Sequence, residues 1–452
     1  MSTVTEAPEQ TTATPRTPYR VPLIAYLVAN VVSLCGTRVS AIAIPWFVLV
    51  TTGSPMKTGL VAFAEMTPLV LCKAFGGPLI DRIGGRRISV SADLASTFVV
   101  ALIPLLHTLN LLSFPALLTL VAIAGALRGP GDAAKHTLVP DIAAAAKVPL
   151  ERVTGLESTT ERLSGFIAYG IAGGLITLVG TVNALWVDAI SFAVCAALIR
   201  IWVPKPTEAT KAVKATESTE DDKPSYLEEL REGWQFLRKD KLMMPLVVMI
   251  AVTNLLDAAI GAVLLPVWIK DHGFGPGHTS LILLSFGITA TLFALLASAI
   301  GNKLPRKVVF TVAFLICGAP RFVLLAFDAP VWSVMLVYAI GGIGAGFINP
   351  VLGALFLERI PRDMLGRVSS LSNAIAWTGV PLGGVVAGAA IAGIGLVPAL
   401  LAGGCLYFVA TTAPVLIGRT ENWGGRPTRK DRQGPRGTVE RPDLAAAPTS
   451  SV

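Results

Sequence analysis

The sequence predicts an all-α polytopic membrane protein, with twelve transmembrane helices in two pseudo-symmetric six-helix bundles. Composition, the number of apolar runs and an internal repeat support this prediction. Of the 452 residues, 53% are hydrophobic and 15% are charged, whereas an ordinary soluble domain has roughly 25% charged residues. Since a membrane-spanning helix needs about 20 apolar residues, this composition is sufficient for about twelve. It excludes a soluble enzyme, a disordered chain and a disulfide-rich scaffold.

Twelve apolar runs follow one another along the chain. They fall at about 23–50, 57–79, 88–108, 112–131, 156–180, 183–203, 243–268, 279–301, 308–327, 331–355, 367–393 and 395–418. The expected organisation is a disordered cytoplasmic N-tail, an N-terminal six-helix bundle, a cytoplasmic linker, a C-terminal six-helix bundle and a disordered cytoplasmic C-tail, over 1–20, 21–203, 204–241, 242–418 and 419–452. Helical spacing in the second part of the linker predicts an interfacial amphipathic helix there, carried by Leu227, Leu230, Trp234 and Leu237.

Lysine and arginine are distributed very unequally between the two sides of the predicted membrane protein. With the N-terminus inside, the inner loops and tails carry 31 of these residues, while the outer loops carry only Lys57 and Lys270. Positively charged short loops stay on the cytoplasmic side. We therefore expect a multi-pass protein of the cell (inner or plasma) membrane with both termini cytoplasmic. The net charge of +8 is then a property of these loops, and no nucleic-acid partner is expected.

The two halves of the chain repeat each other. Asp81–Arg86, after the second run, aligns with Asn302–Lys307, after the eighth. Val139–Asp141, after the fourth run, aligns at the same offset with Ile360–Arg362, after the tenth. Two matches at one offset indicate a parallel six-plus-six duplication, in which an axis along the membrane normal relates the halves.

The connection after the second run has a specific resemblance. Its sequence is Gly77-Pro78-Leu79-Ile80-Asp81-Arg82-Ile83-Gly84-Gly85-Arg86-Arg87. It resembles the signature G-x-L-x-D-R-x-G-R-R of the major facilitator superfamily, with Gly85 where arginine is usual. The resemblance implies a cytoplasmic gating motif that comprises Gly77, Asp81, Arg82, Gly84, Arg86 and Arg87. In such a motif the aspartate helps to latch the two halves together. The alternative is a plain basic anchoring loop.

Further segments resemble one branch of that superfamily, the drug and siderophore exporters. These segments are Ile44–Trp46, Arg231–Arg238 and Ile360–Val368. The branch includes macrolide efflux proteins, mycobacterial multidrug pumps and the enterobactin exporter. The resemblance covers about residues 20–420 and implies a secondary active transporter, not an enzyme, that works by alternating access.

The expected function is proton-coupled export, by antiport, of small amphipathic compounds such as antibiotics or siderophore-like metabolites. The proton gradient is the expected energy source, with no cofactor. The expected partners are the substrate and the lipid bilayer, and a monomer is expected. The alternatives are an importer on the same fold and a non-transporting membrane receptor or enzyme.

Glycines recur in the fifth and eleventh runs. They are Gly165, Gly170, Gly173, Gly174, Gly383 and Gly384. Those of the fifth run partly resemble the antiporter motif G-x-x-x-G-P-x-x-G-G, with Tyr169-Gly170 in place of Gly-Pro. Close helix packing by small residues is an equally good interpretation.

Ionisable and polar side chains inside the runs are site candidates, because such groups are costly in a bilayer. The candidates for proton coupling or a central cavity are Glu65, Asp257, Arg38, Arg321, Asn254 and Asn349. A carboxylate in a low-dielectric cavity takes up a proton more readily than one in water, as coupling requires. The alternative is a structural ion pair, for instance between Arg38 and Glu65. No His/Cys cluster has metal-ligand spacing, and no phosphate-binding loop is present in the sequence.

Overall fold

The computed structural model of the protein describes residues 20–204, 226–240, 242–300, 304–361 and 364–417. All regular secondary structure in these ranges is helical, which confirms the all-α prediction. The predicted tails, the first part of the linker and part of the repeated loop sequences lie outside the described residues.

Residues 20–204 form eight helices. They are α1 (Val21–Thr52), α2 (Pro55–Phe75), α3 (Gly77–Ile83), α4 (Gly85–Thr108), α5 (Phe114–His136), α6 (Val139–Ala146), α7 (Leu150–Val179) and α8 (Thr181–Trp202). Helices α3 and α6 are short and lie in connections. The other six coincide with the first six predicted spans.

The second half begins after α9 (Tyr226–Lys239), which coincides with the predicted amphipathic helix. The seventh span consists of α10 (Met243–Ala259), a π-helical turn (Ile260–Leu264) and α11 (Leu265–Asp271). The remaining helices are α12 (Pro276–Ile300), α13 (Arg306–Cys317), α14 (Ala319–Ala326), α15 (Val331–Arg359), α16 (Leu365–Thr378), α17 (Val380–Ile394) and α18 (Leu396–Ile417). Helices α13 and α14 share the ninth span, and α16 and α17 share the eleventh.

Eleven segments of the described chain are long and apolar enough to cross a bilayer. The predicted fifth span, α7, differs because its apolar part is confined to Ile167–Val179, while its first half carries charged residues such as Glu151 and Glu161. Its 30 residues correspond to about 45 Å of helix, more than the roughly 30 Å of a hydrocarbon core. Helix α7 is therefore long enough to be the twelfth crossing.

Helix packing repeats between the halves. In the first half, α2 packs on α5, α4 packs on α5 and α8, and α1 packs on α7. The equivalent contacts in the second half are α12 on α15, α13 on α15, α14 on α18 and α10 on α17. The halves meet where α2 contacts α17 and where α7 contacts α12. These two contacts are equivalent under the repeat, as expected for a duplicated six-span unit.

Two faces of the bundle are distinguished by their connections. The short-loop face carries the connections after odd-numbered spans, at 53–54, 109–113, 180, 272–275, 327–330 and 395. The basic face carries the connections after even-numbered spans, which hold most of the lysine and arginine residues.

The halves are in close contact near the short-loop face. A Cβ atom added to Gly59 of α2 would lie 2.1 Å from the backbone oxygen of Gly384. Between α7 and α12, a Cβ atom added to Gly173 would lie 2.5 Å from the Cβ of Ser280. The Nζ of Lys270 also donates to the backbone oxygen of Leu49 across the halves at 3.0 Å. The contacts at Gly59 and Gly173 require small residues, because the neighbouring helices almost touch there.

Toward the basic face, the same spans are packed less closely across the halves. Helix α2 makes close contact with α17 along much of its length but touches α16, the basic-face half of the eleventh span, at few positions. The bundle is therefore closed at the short-loop face and opens toward the basic face.

Asp240 attaches the linker helix to the second half. Its Oδ1 accepts from the backbone N–H groups of Leu242 and Met243, both at 2.9 Å, and the Nη2 of Arg359 donates to Oδ2 at 2.8 Å. Burial alone would raise the pKa of the Asp240 carboxyl, but these backbone hydrogen bonds and the arginine hold the pKa below its ordinary value.

Removal of this carboxylate by Asp240→Ala is expected to lower the stability of the purified protein by about 1–2 kcal/mol at pH 7. The pKa of Asp240 is lower in the folded protein than in the unfolded chain, where it is about 4. The carboxylate therefore contributes its full stabilisation above about pH 4, and this stabilisation is lost as the pH falls through the pKa of the folded protein. Melting temperatures between pH 7 and pH 3.5 measure this difference, with exposed Asp271→Ala as the control. A difference from the wild type that grows toward low pH would contradict this assignment.

Candidate functional site

A cavity of about 550 Å³ lies between the two halves. Its volume is within the range of about 300–1,000 Å³ that is typical of small-molecule sites. The first half contributes Arg38, Glu65 and Tyr169 to its lining, and the second half contributes Asp257 and Arg321. Most of the other lining residues are apolar or aromatic, including Trp46, Met66, Leu283 and Phe286. The cavity combines an apolar wall with a few charged groups, a combination suited to amphipathic ligands.

The first charged group is an ion pair between α2 and α5. The Nη1 of Arg128 donates to the Oε1 of Glu65 at 2.7 Å, and both side chains are nearly buried. A Cβ atom on Gly125 would lie 2.1 Å from the backbone oxygen of Glu65, so the glycine allows the helices to approach. The alternative pairing of Arg38 with Glu65, considered from the sequence, is wrong.

Arg128 also requires a correction to the predicted loop boundaries. The count of 31 lysine and arginine residues on the inner side includes Arg128 and Lys135 as loop residues, but α5 extends to His136 and holds both inside the bundle. The Nζ of Lys135 lies 3.1 Å from Oδ1 of Asp93, and both side chains are buried. Carboxylates on the neighbouring helices α2 and α4 thus neutralise both cations, which allows the helix to continue past the end of the apolar run.

Asp188 of α8 is a buried carboxylate behind α1. It accepts a short hydrogen bond from the hydroxyl of Ser40, and Ser191 donates to its Oδ1 at 3.4 Å. The charge of Arg128 also acts on Asp132 and Asp188, besides its ion-pair partner Glu65.

The second charged group is an ion pair between α10 and α14. The Nη2 of Arg321 donates to the Oδ1 of Asp257 at 2.7 Å. The side chain of Asp257 is 42% exposed, whereas that of Arg321 is 6% exposed. The guanidinium lies 5.5 Å from the ring centroid of Phe286 and 5.7 Å from that of Tyr338, within the range of cation–π attraction. The carboxylate is therefore accessible from the cavity, with the arginine fixed behind it.

Arg38 of α1 is the third charged group. Its Nη1 donates to the hydroxyl of Tyr169 at 3.4 Å, and its guanidinium lies 5.4 Å from the centroid of the same ring. No ion pair joins it to a carboxylate among the described residues.

Two of the six candidates from the sequence do not line the cavity. Asn254 donates to the backbone oxygen of Ala376 at 2.9 Å and so connects α10 to α16. Asn349 is exposed, and α15 continues through Pro350. The other four candidates, Glu65, Asp257, Arg38 and Arg321, all line the cavity. Their roles in transport stay predictions.

The residues of the predicted gating motif lie around α3 at the basic face. Asp81 and Arg82 are exposed, and within the described chain no ion pair involves Asp81. Gly84 has a φ of +95°, a conformation that favours glycine. Arg86 donates to the backbone oxygen of Arg200 in the same half. With this face open, these contacts stay within the first half. The latch remains a prediction for the state in which the basic face is closed.

The six glycines of the fifth and eleventh spans divide into two groups. An added Cβ would contact Leu284 from Gly170, Ser280 from Gly173, the backbone of Leu255 from Gly383 and the backbone of Gly59 from Gly384. Gly165 lines the cavity, and neither Gly165 nor Gly174 has an atom within 4 Å of an added Cβ. Close packing thus requires a small residue at three of the six positions, Gly173, Gly383 and Gly384, whereas the contact at Gly170 is an ordinary one. A specific antiport role stays a prediction.

Two repeated six-span halves around a charged central cavity define the class of secondary transporters. The model of the Major Facilitator Superfamily matches this chain over residues 26–274 and 247–448, so the chain belongs to that superfamily. This finding confirms the resemblance of the loop after the second span. It also excludes the receptor and enzyme alternatives, since the superfamily consists of transporters.

Characterised relatives support the same branch. The chain is 28% identical over 408 residues to the multidrug efflux pump Tap of Mycobacterium tuberculosis, covering 88% of this chain and 94% of the pump. It is 25% identical over 362 residues to macrolide efflux protein A of Streptococcus pyogenes, covering 78% and 85% of the two chains. Among solved structures, the nucleoside transporter NupG has a TM-score of 0.71 at 13% identity, covering 87% of this chain and 98% of NupG. At this low sequence identity, the similarity to NupG supports the fold of this chain and not its substrate.

Proposed function

We propose that this protein exports small amphipathic compounds, including antibiotics, in exchange for protons. The similarity to two drug efflux proteins, each over more than three quarters of this chain, supports the substrate class. The cavity carries the proposal, because its apolar wall and paired charges suit amphipathic molecules. The residues that line the cavity all belong to one chain, so we expect the protein to act as a monomer. The proton gradient is its proposed energy source, and no cofactor is proposed.

In the proposed orientation, the basic face and both termini are cytoplasmic. The excess of lysine and arginine on that face supports this orientation. The structure then corresponds to a state open to the cytoplasm and closed to the outside. An exporter loads its substrate in this state, since the substrate enters the cavity from the cytoplasm.

Asp257 is the proposed site of the coupling proton, and Glu65 is the alternative candidate in the other half. In the state open to the cytoplasm, Asp257 is partly exposed and paired with Arg321, as expected after its proton has left. In the state open to the outside, a proton that binds Asp257 would cancel its charge and weaken the pair. Each cycle would thus move a proton inward while the substrate leaves.

The direction of transport is tested in bacterial cells that lack their own efflux pumps. Expression of this protein is expected to lower accumulation of radiolabelled erythromycin, and a protonophore is expected to restore it. An importer would instead raise accumulation in the energised cells. That result, or a decrease that persists after the gradient is collapsed, would contradict proton-coupled export.

Asp257→Asn is expected to abolish gradient-driven efflux and to retain binding, because the amide keeps the size of the side chain but cannot carry the proton. Gradient-driven transport is measured as erythromycin uptake into inside-out vesicles with an imposed pH gradient. Binding is measured at equilibrium with erythromycin and the purified protein. Asp271→Asn, at an exposed carboxylate, is the control and should transport normally. Normal gradient-driven efflux in Asp257→Asn would contradict the coupling role of Asp257 and leave Glu65 as the candidate.

A further inference from the structure

Arg38 faces the cavity from the side of α1 that is opposite to Asp188. Gly36 and Ser40 lie on the face that packs against α8, where Ser40 donates to Asp188. Arg38 is two residues from each of them, which corresponds to a rotation of about 200° around a helix. Its guanidinium therefore lies at the cavity beside Tyr169, with the body of α1 between it and Asp188.

The carboxylates of the cavity are already neutralised by other cations. Glu65 pairs with Arg128 and Asp257 pairs with Arg321, both at 2.7 Å. Among the described residues that line the cavity, these are the two acidic side chains. Arg38 therefore adds a positive charge to a cavity that is otherwise balanced.

The hydrogen-bonding groups of Arg38 are also incompletely used. Its Nε is buried and has no partner among the described residues, and its contact with Tyr169 is long at 3.4 Å. A guanidinium has five N–H donors in a planar fork that matches a carboxylate. Charged residues inside membrane-spanning bundles usually pair with one another or mark a substrate pathway, and Arg38 has no carboxylate partner in the described part of the chain, so an anionic group placed beside it would be favoured.

We propose that Arg38 forms an anion-binding subsite, which selects substrates that carry a carboxylate or another anionic group on an aromatic or apolar body. The anionic group would contact the guanidinium, and the body would lie against Trp46, Met66 and Phe286, which line the same cavity. This inference rests on the proposed function only in taking the cavity as the substrate site.

The test uses two dyes that differ by one carboxylate. Rhodamine 110 has a free carboxylate, and rhodamine 123 is its methyl ester. Fluorescence anisotropy with the purified full chain in detergent gives their affinities. We expect rhodamine 110 to bind at least about tenfold more tightly, the effect of one charge-assisted hydrogen bond. Equal affinities, tighter binding of the ester or binding of neither dye would overturn the proposal.

Substitutions at Arg38 test whether this residue causes the preference for rhodamine 110. In Arg38→Gln the ratio of the two affinities is expected to fall to about one. Arg38→Lys keeps the positive charge and should keep part of the preference for rhodamine 110. This variant provides the test if Arg38→Gln does not fold. Arg20→Gln, at an exposed arginine just before the same helix, is the matched control and should not change the ratio. An unchanged ratio in Arg38→Gln would contradict the subsite.

The dye experiment is independent of proton coupling, because detergent solution has no gradient. If the carboxylate preference is absent while cells still export erythromycin, the anion subsite is wrong and the proposed export stands. If the preference is present and export is absent, the subsite stands and the proposed function is wrong.

Discussion

Arg128→Met is expected to prevent stable folding of the protein. It leaves Glu65 buried without its ion-pair partner and removes the cation that interacts with Asp188. Loss of one partner of a buried pair costs about 3–5 kcal/mol, since the remaining charge stays buried without compensation. This is a large part of the roughly 5–15 kcal/mol that stabilises a typical domain. The yield of monodisperse protein in size-exclusion chromatography and its melting temperature measure the effect.

Two further variants separate this explanation from a general intolerance of changes in the cavity. Arg128→Met combined with Glu65→Gln removes both charges of the pair, so it should recover much of the lost yield. Arg38→Met removes a cavity arginine without a carboxylate partner and should be much milder. Equal melting temperatures for Arg128→Met and the wild type would show that the pair contributes little.

Gly59→Val is expected to reduce transport at least about tenfold, because it prevents the close contact of the halves at the short-loop face. Its Cβ would lie 2.1 Å from the backbone oxygen of Gly384, and a backbone atom in a packed span cannot move aside easily. A bias of about 1.4 kcal/mol against the state open to the basic face changes its population tenfold. Erythromycin efflux measures transport.

The conformational shift itself is measured with a cysteine in the cavity. We expect Met66→Cys, in a background without the five native cysteines, to react more slowly with a water-soluble maleimide at the basic face when Gly59→Val is present. Gly174→Val is the control, since no atom lies within 4 Å of an added Cβ at that position. Unchanged labelling and transport in Gly59→Val would mean that this contact does not hold the closed end together.

The number and positions of the spans could be predicted from the sequence because hydropathy is a local property. The interruptions of the spans could not. Helix α13 ends before Gly318, where an added Cβ would lie 2.0 Å from the Cε1 of Tyr407, so the interruption coincides with packing against a residue about 90 positions later. The π-helical turn after Asp257 likewise has no marker in a continuous apolar run.

Four residues of the cavity could be predicted because charged residues are rare inside apolar runs. Their partners could not, since pairing depends on the rotation and depth of two different helices. Arg128 lies near the end of its apolar run, beside glycines and a proline, and such a position resembles a basic loop. A search for a cation at the depth of Glu65 on a neighbouring span would have identified it.

The ion pairs of the cavity each lie within one half, since Glu65 pairs with Arg128 and Asp257 with Arg321. The described contacts that join the halves at the short-loop face are between backbone atoms, small side chains, one lysine and apolar side chains such as Trp46 and Leu49. The halves can therefore rock past each other without breaking either pair. Dissolved salt screens exposed charges much more than buried ones, so we expect ionic strength to act on the predicted latch at the basic face and hardly on these two pairs.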